Sequence, residues 1–196
     1  MPTKLPFSSA LFIYGCVTAA ALTSVPVLAS GSAGIKDVET MSVVFTPGGS
    51  GYETIIGLID KSQKSIRVGA YHFRSPAVTD ALIRAHMRGV DVAVIMDAKN
   101  LKSAANEGPR AAAAGIRVYV DTSHKIHHNK FIVADGLWVE TGSFNFHDEA
   151  EYRYAENLIV LKSKTLAREY EENWSLHQAH SQTLAPMHAF AQITVQ

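Results

Sequence analysis

Apolar residues along this chain switch between two spacings, and the switches mark out its elements. Tyr52, Ile55, Ile56 and Ile59 recur at helical spacing up to about Lys64, whereas Ile66 to Phe73 reads as a strand and Val90 to Met96 is apolar nearly throughout. Runs without alternation suit strands covered on both faces. Ser42 to Phe45, Ile116 to Val120 and Asn157 to Leu161 read as further strands. Ser75-Pro76 opens a helix that buries Val78, Leu82 and Ala85 and stops at Gly89. The alanine-rich run from Arg110 to Ala114 is a short helix ending at Gly115. Leu166, Tyr170, Trp174 and His177 form the stripe of a last helix, with Trp174 and His177 read as packing residues. Beyond about Gln178 the periodicity weakens. Strands alternating with helices predict a single α/β domain built on a mixed β-sheet flanked by helices. The loop Pro47-Gly48-Gly49-Ser50-Gly51 lacks the Gly-Lys-Ser/Thr of a phosphate-binding P-loop and reads as a turn.

The first residues follow another pattern. Lys4 precedes an apolar stretch from Ala10 to Leu28, and Val27-Leu28-Ala29 offers a small-residue cleavage site. Thr18, Thr23, Ser24 and Pro26 interrupt the stretch, so residues 1–29 read as a removed signal peptide, with an uncleaved anchor as the alternative. The mature domain is then 30–196, periplasmic or secreted, with no stable membrane association. Cys16 is the only cysteine, so the mature domain has no disulfide and relies on its core.

The densest chemistry lies in H-x-K-x4-D-x6-G-S-x-N, formed by His128, Lys130, Asp135, Gly142, Ser143 and Asn145. A phosphate diester calls for this combination: a nucleophile for phosphorus, with a cation and polar donors for its oxygens. Asp135-Gly136 between two apolar runs is the signal of a two-residue hairpin turn. In that register Ala134 faces Leu137 and His128 faces Ser143. His128 and Lys130 share one face, as do Ser143 and Asn145, so the four polar groups converge at one end of a hairpin whose body is anchored by Phe131, Val133, Trp138 and Val139. A longer turn would shift this pairing. A lone strand histidine is ordinarily just packed or solvated, but one hairpin has no structural need for all six residue types together.

This array is similar to the HKD motif of the phospholipase D superfamily. The blocks SIRVGAYHFRSPAVTDAL, RGVDVAVIMD, HHNKFIVADGLWVETGSFNF and AENLIV resemble, in order, those of its small single-motif, EDTA-resistant bacterial endonucleases. The resemblance covers most of the chain after about residue 42 and implies a phospholipase D-like nuclease domain. It implies that His128 attacks phosphorus and forms a phosphohistidine, while Lys130 and Asn145 hold the non-bridging oxygens. Ser143 would donate a hydrogen bond nearby, and Glu156 would orient His128 through its other ring nitrogen. Asp135, though the third letter of the motif, falls in the turn and reads as structural, as does Gly142. No cofactor or metal is implied.

One array per chain has a consequence. The reaction needs a neutral histidine to attack and a protonated one to serve the leaving oxygen, and one imidazole cannot do both in one step. His72 and His86 lack a lysine at motif spacing. The expectation is a C2 homodimer with both His128 side chains in one site, titrating as a coupled pair.

Asp121, His124, His127 and His128 suggest a metal set, since imidazole and carboxylate bind zinc. Adjacent His127 and His128 point to opposite faces of a strand, however, and no cysteine or HExxH frame supports them, so no metal is assigned. Charge gives nucleic acid little long-range pull. Lys and Arg balance Asp and Glu at 18 each, and the mature domain is near minus one. The distribution is uneven, with twelve basic against six acidic residues in 60–130 and four against nine in 131–196. Arg74, Lys99, Lys102, Arg110 and Lys125 are the candidates for a basic band giving salt-sensitive, weakly sequence-specific binding. The expected activity is non-specific hydrolysis of DNA, with RNA as a second candidate. The alternative is a phospholipase D-type hydrolase acting on phospholipid headgroups, for which the sequence offers no apolar lip outside residues 1–29. A non-catalytic phosphate- or metal-binding module is a third class, disfavoured by the intact motif.

Overall fold

The computed structural model describes residues 34–185, so the segment read as a signal peptide lies outside the described residues. The strands are β1 (Glu39–Thr46), β2 (Ser65–Ala70), β3 (Asp91–Asp97), β4 (Arg117–Asp121), β5 (Lys130–Ala134), β6 (Trp138–Gly142), β7 (Glu156–Lys162) and β8 (Gln182–Thr183). The helices are α1 (Gly51–Lys61), α2 (Pro76–Met87), α3 (Gly108–Ala113), α4 (Asp148–Tyr152) and α5 (Lys164–His180), with a 3-10 turn at Ala98–Lys102. One mixed sheet has the order β1-β7-β6-β5-β2-β3-β4-β8. β2, β3 and β4 run parallel, and every other pairing is antiparallel. The mixed α/β sheet flanked by helices is therefore present.

Alternation within the strands sorts the core into two layers. Ile66, Val68, Val92, Val94, Val118, Ile132 and Leu158 meet Ile55, Ile59, Val78, Leu82 and Ala111 from α1, α2 and α3. On the opposite face Ala93, Ile95, Phe131, Val133 and Val139 meet Ala167 and Trp174 of α5. Trp174 also donates its indole N–H to the Val68 carbonyl at 2.9 Å, so this buried ring is satisfied as well as packed. Helix α2 starts as its sequence dictates: Ser75 accepts from the Val78 N–H, and Pro76 occupies the first turn. Glu140 has no such resolution. It is fully buried on β6 with neither carboxyl oxygen hydrogen-bonded, and burial pushes its pKa up to about 8.

The hairpin register differs from the two-residue expectation. Asp135 and Gly136 both adopt positive φ, as a tight turn requires, and Leu137 N–H closes onto the Ala134 carbonyl. The Leu137 carbonyl, however, accepts from Ser163 N–H, so pairing resumes one residue later with Ala134 opposite Trp138 and Phe131 opposite Thr141. Continuing that register sets Lys130 level with Gly142. His128 is therefore not opposite Ser143. Three further elements went unread: the 3-10 turn, α4, and β8, which pairs with β4 beyond the point where periodicity fades.

Candidate active site

Parallel strands β2, β3 and β4 end at the same edge where β5 and β7 begin and β6 ends. That edge, the carboxyl end of a parallel set, is where α/β sheets gather ligand-binding groups. The chain delivers one polar cluster there from each crossing.

His128 lies two residues before β5 and is exposed, while Lys130 opens the strand and is 9% exposed. The Lys130 ammonium donates to the His128 carbonyl at 2.8 Å and lies 3.3 Å from His128 Nδ1. An ammonium has only donors, so Nδ1 is the acceptor of that contact, and the neutral ring then carries its proton on Nε2. Burial pulls the Lys130 pKa below its ordinary value, and the neighbouring Glu156 carboxylate opposes the shift. Glu156 thus acts on Lys130, and no hydrogen bond joins it to His128 among the described residues.

The second half of the array is set by Gly142. A Cβ there would collide with the Asn157 carbonyl oxygen and approach Leu158 Cα to 2.8 Å. This close approach lets the Ser143 and Phe144 N–H groups both donate to that carbonyl, at 3.0 and 3.2 Å. The Ser143 hydroxyl in turn accepts from Asn157 N–H at 3.0 Å, next to Glu156. Phe144 and Phe146 are buried anchors on either side of Asn145. The Asn145 amide oxygen is buried without a partner. Asp135 sits at the far end of β5, on the order of 16 Å along the strand from Lys130. Its carboxylate accepts from the N–H groups of Gln63, Lys64 and Ser65 at 2.7–3.1 Å, tying the turn to the start of β2.

Several site residues escaped sequence reasoning. Tyr71, just past β2, lies 4.5 Å from the His128 ring between centroids, and Lys130 and Lys99 approach its face at 5.0 and 5.9 Å. His72 stacks on Tyr71 at 4.2 Å and lies 5.1 Å from His147. Burial lowers the His72 pKa to about 4, helped by the cations of Arg74 and Lys130 and by His147. His72 Nδ1 and Arg74 Nε are buried without partners. Buried Asn100 holds this segment, accepting from Phe73 N–H at 3.0 Å and donating to the Tyr71 carbonyl at 2.7 Å. Asp97 accepts from His127 N–H at 2.7 Å, immediately before His128. The available signal was positional: polar residues follow each apolar run, in Tyr-His-Phe-Arg after β2 and in Asp97 through Asn100 after β3.

Of the five cations suggested for a basic band, Lys99, Lys102 and Lys125 are exposed, and half-buried Arg74 lies near enough to His72 to lower its pKa. Arg110 does not serve. It is locked to Asp80 and Glu107, at 2.6 Å each. The suggested metal set also rearranges. His128 faces Lys130, whereas His177 and His180 of α5 join Asp121 and His124. His177 is therefore part of a polar cluster rather than apolar packing.

Comparison with known proteins shows the family. Residues 55–176 match the model of the family described as cardiolipin synthase, PLD-like domain. The chain belongs to the phospholipase D superfamily. A Rickettsia prowazekii protein named phospholipase D is 40% identical over 134 residues, 68% of this chain and 65% of that protein. The chain thus spans just under two thirds of that relative's length. A Rickettsia typhi protein of the same name is 39% identical, covering 71% of this chain and 68% of its own. A Xenopus tropicalis protein named mitochondrial cardiolipin hydrolase is 28% identical over 64% of this chain and 60% of its own. Among solved structures, the phospholipase D family member Nuc from Salmonella typhimurium superposes with a TM-score of 0.71 at 33% identity. It covers 76% of this chain and 99% of Nuc.

Proposed function

We propose that the chain is a metal-independent endonuclease, cleaving DNA first and RNA second through a phosphohistidine on His128. The observation that carries this reading is the exposed His128 ring set against the Lys130 ammonium, at the sheet edge that also holds the unpartnered buried atoms of Arg74, His72 and Asn145. Buried polar groups are ordinarily satisfied, so several orphans around one nucleophile suit a polyoxygen ligand. A phosphodiester would bring oxygens to Lys130, Arg74 and the Asn145 amide, whose NH2 can turn toward it. His128 forms a bond to phosphorus as the bond to the leaving oxygen breaks, and that oxygen takes a proton from a second imidazole. Water, giving its proton back to that imidazole, then breaks the P–N bond. For Nε2 to attack, the ring must turn so that Nδ1–H finds an acceptor, and Glu156 is the residue that the family resemblance supplies for it. The second imidazole would be His128 of another copy in a C2 homodimer. In mixtures of wild-type and His128→Ala chains, activity should then fall with the square of the wild-type fraction, and a linear fall would refute the shared site.

Nucleic acid is favoured by the resemblance of the motif blocks to single-motif bacterial endonucleases and by the exposed lysines at 99, 102 and 125. The phospholipid reading has its own support. Relatives carry the names phospholipase D and mitochondrial cardiolipin hydrolase. In addition, β1, an edge strand, exposes Met41, Val43 and Phe45, with Phe45 69% accessible. A plasmid-nicking assay in EDTA beside headgroup release from phosphatidylcholine vesicles separates the two. Nicking without headgroup release is expected, and the opposite result would transfer the enzyme to the lipid class. The proposed location, periplasmic or secreted, rests on residues 1–29 alone.

A further inference from the structure

A second histidine cluster lies at the end of β4, apart from the reacting groups. Asp121 is fully buried, and its Oδ1 accepts from the N–H groups of Ser123 and His124 at 2.9 and 3.2 Å. Its Oδ2 faces imidazoles alone. His124 Nδ1 lies at 2.9 Å, His127 Nδ1 at 3.2 Å, His177 Nδ1 at 3.5 Å and His180 Nε2 at 3.5 Å. One carboxylate oxygen cannot take a good hydrogen bond from four rings, and His177 Nδ1 and His127 Nε2 are buried with no hydrogen-bond partner. Asp121 and His124 are three residues apart, as are His177 and His180 on one face of α5.

We propose that Asp121, His124, His177 and His180 form a binding site for a divalent transition-metal ion of the zinc class. Their ligand atoms all lie within 4.8 Å of one another. The separations of 2.9, 3.5 and 3.5 Å from Asp121 Oδ2 bracket the edge of roughly 3.3 Å in a tetrahedron with 2.0–2.1 Å metal bonds. Three imidazoles and one carboxylate complete four-coordination, which is the pattern of a closed structural centre rather than one holding an open position for substrate. The set contains no thiolate, so it suits zinc, cobalt or nickel rather than a thiophilic ion. His127 is an outer partner: its Nδ1 meets the ligating carboxylate and its ring is shielded against His177 at 4.9 Å. His124 and His180 are partly exposed, with side-chain accessibilities of 48% and 36%, giving the ion a path in.

The consequence is mechanical. The metal joins the end of α5 to the loop 121–127, and that loop leads directly into His128. It stabilises the platform of the nucleophile without touching the substrate. The site stands independently of the reaction proposed for His128.

The test uses the tag-free full chain, because a polyhistidine tag would bind the probe. After dialysis against chelator, titration with Zn2+ should load one ion per chain by elemental analysis. It should also raise Tm by about 5–10 °C when free zinc is 100-fold above Kd. His124→Ala combined with His180→Ala should abolish both responses, and His128→Ala should keep both. His180→Ala alone, at an exposed position, should weaken Kd at least 100-fold while leaving the metal-free Tm within a few degrees, which guards against misfolding of the double variant. Binding below about 0.2 ion per chain without a Tm response would overturn the proposal. So would unchanged binding in the His124/His180 variant, or loss of zinc only in His128→Ala.

Discussion

Two groups of histidines occupy one edge of the same sheet and are given opposite neighbours. His128 is exposed and meets the Lys130 ammonium, which contacts its ring lone pair. His124, His127, His177 and His180 surround the buried Asp121 carboxylate. One residue separates the two environments, since His127 points at Asp121 while His128 points at Lys130 and Tyr71. The sequence places these rings side by side, and the extended segment that leads into β5 turns them toward different partners. An imidazole's task here follows from the charge it faces rather than from its place in a histidine-rich stretch.

The largest expected effect is the asymmetry between the groups under substitution. His128→Ala should lower phosphodiester turnover by about 10⁴-fold or more, as loss of a covalent nucleophile does. His180→Ala should leave turnover within about twofold at 25 °C. Equal losses in the two variants would erase the distinction between nucleophile and platform. Next comes Lys130→Met. Removing a fixed cation from transition-state oxygens should cost about 10²–10³ in kcat with a smaller change in KM, read from steady-state kinetics on a chromogenic diester.

Glu140 shows what a buried carboxyl becomes without the donors that Asp121 has. Asp121 is drawn well below the carboxylate range: burial alone would raise it, but His124 and two backbone N–H groups outweigh burial. Glu140, with no donor, is pushed up to about 8. Between its ordinary 4.5 and 8, the unfolded chain releases a proton that the fold retains, so stability falls as pH rises through that window and levels above it. Glu140→Met should therefore stabilise the protein by about 3 kcal/mol at pH 7, with the gain shrinking toward pH 4.5. A gain independent of pH in denaturant titrations would contradict the assignment.

The smallest effect concerns acid. His127, His177 and His72 are all depressed, chiefly by burial, so below about pH 6.5 the unfolded chain takes up protons that the fold resists. Metal-free protein should lose a few degrees of Tm between pH 7 and pH 5.5, and His177→Gln should flatten that loss. A variant with an undiminished slope would remove His177 from the cause.

Strand and helix positions were largely legible because their apolar spacing is decided locally. Val90 to Met96 lies almost wholly within β3, and Ser75-Pro76 caps α2 through a hydrogen bond three residues away. The motif residues were legible for the same reason, being confined to one hairpin. What could not be read depends on distant partners. The register slip at Leu137 comes from Ser163, which takes its carbonyl across the sheet. Tyr71 reaches the site through Asn100, and His177 reaches Asp121 only because α5 folds back over β4. The short α4 has too few residues for a periodic signal, yet its Glu151 accepts from Tyr52 N–H at the start of α1.

The most direct test of covalent catalysis at His128 is stereochemical. A phosphorothioate diester chiral at phosphorus, hydrolysed in isotopically labelled water with excess EDTA, records the number of displacements. Attack by His128 followed by attack of water gives two inversions and hence net retention of configuration. Net inversion would mean that water attacks phosphorus directly, and a phosphohistidine on His128 would then have no place in the reaction.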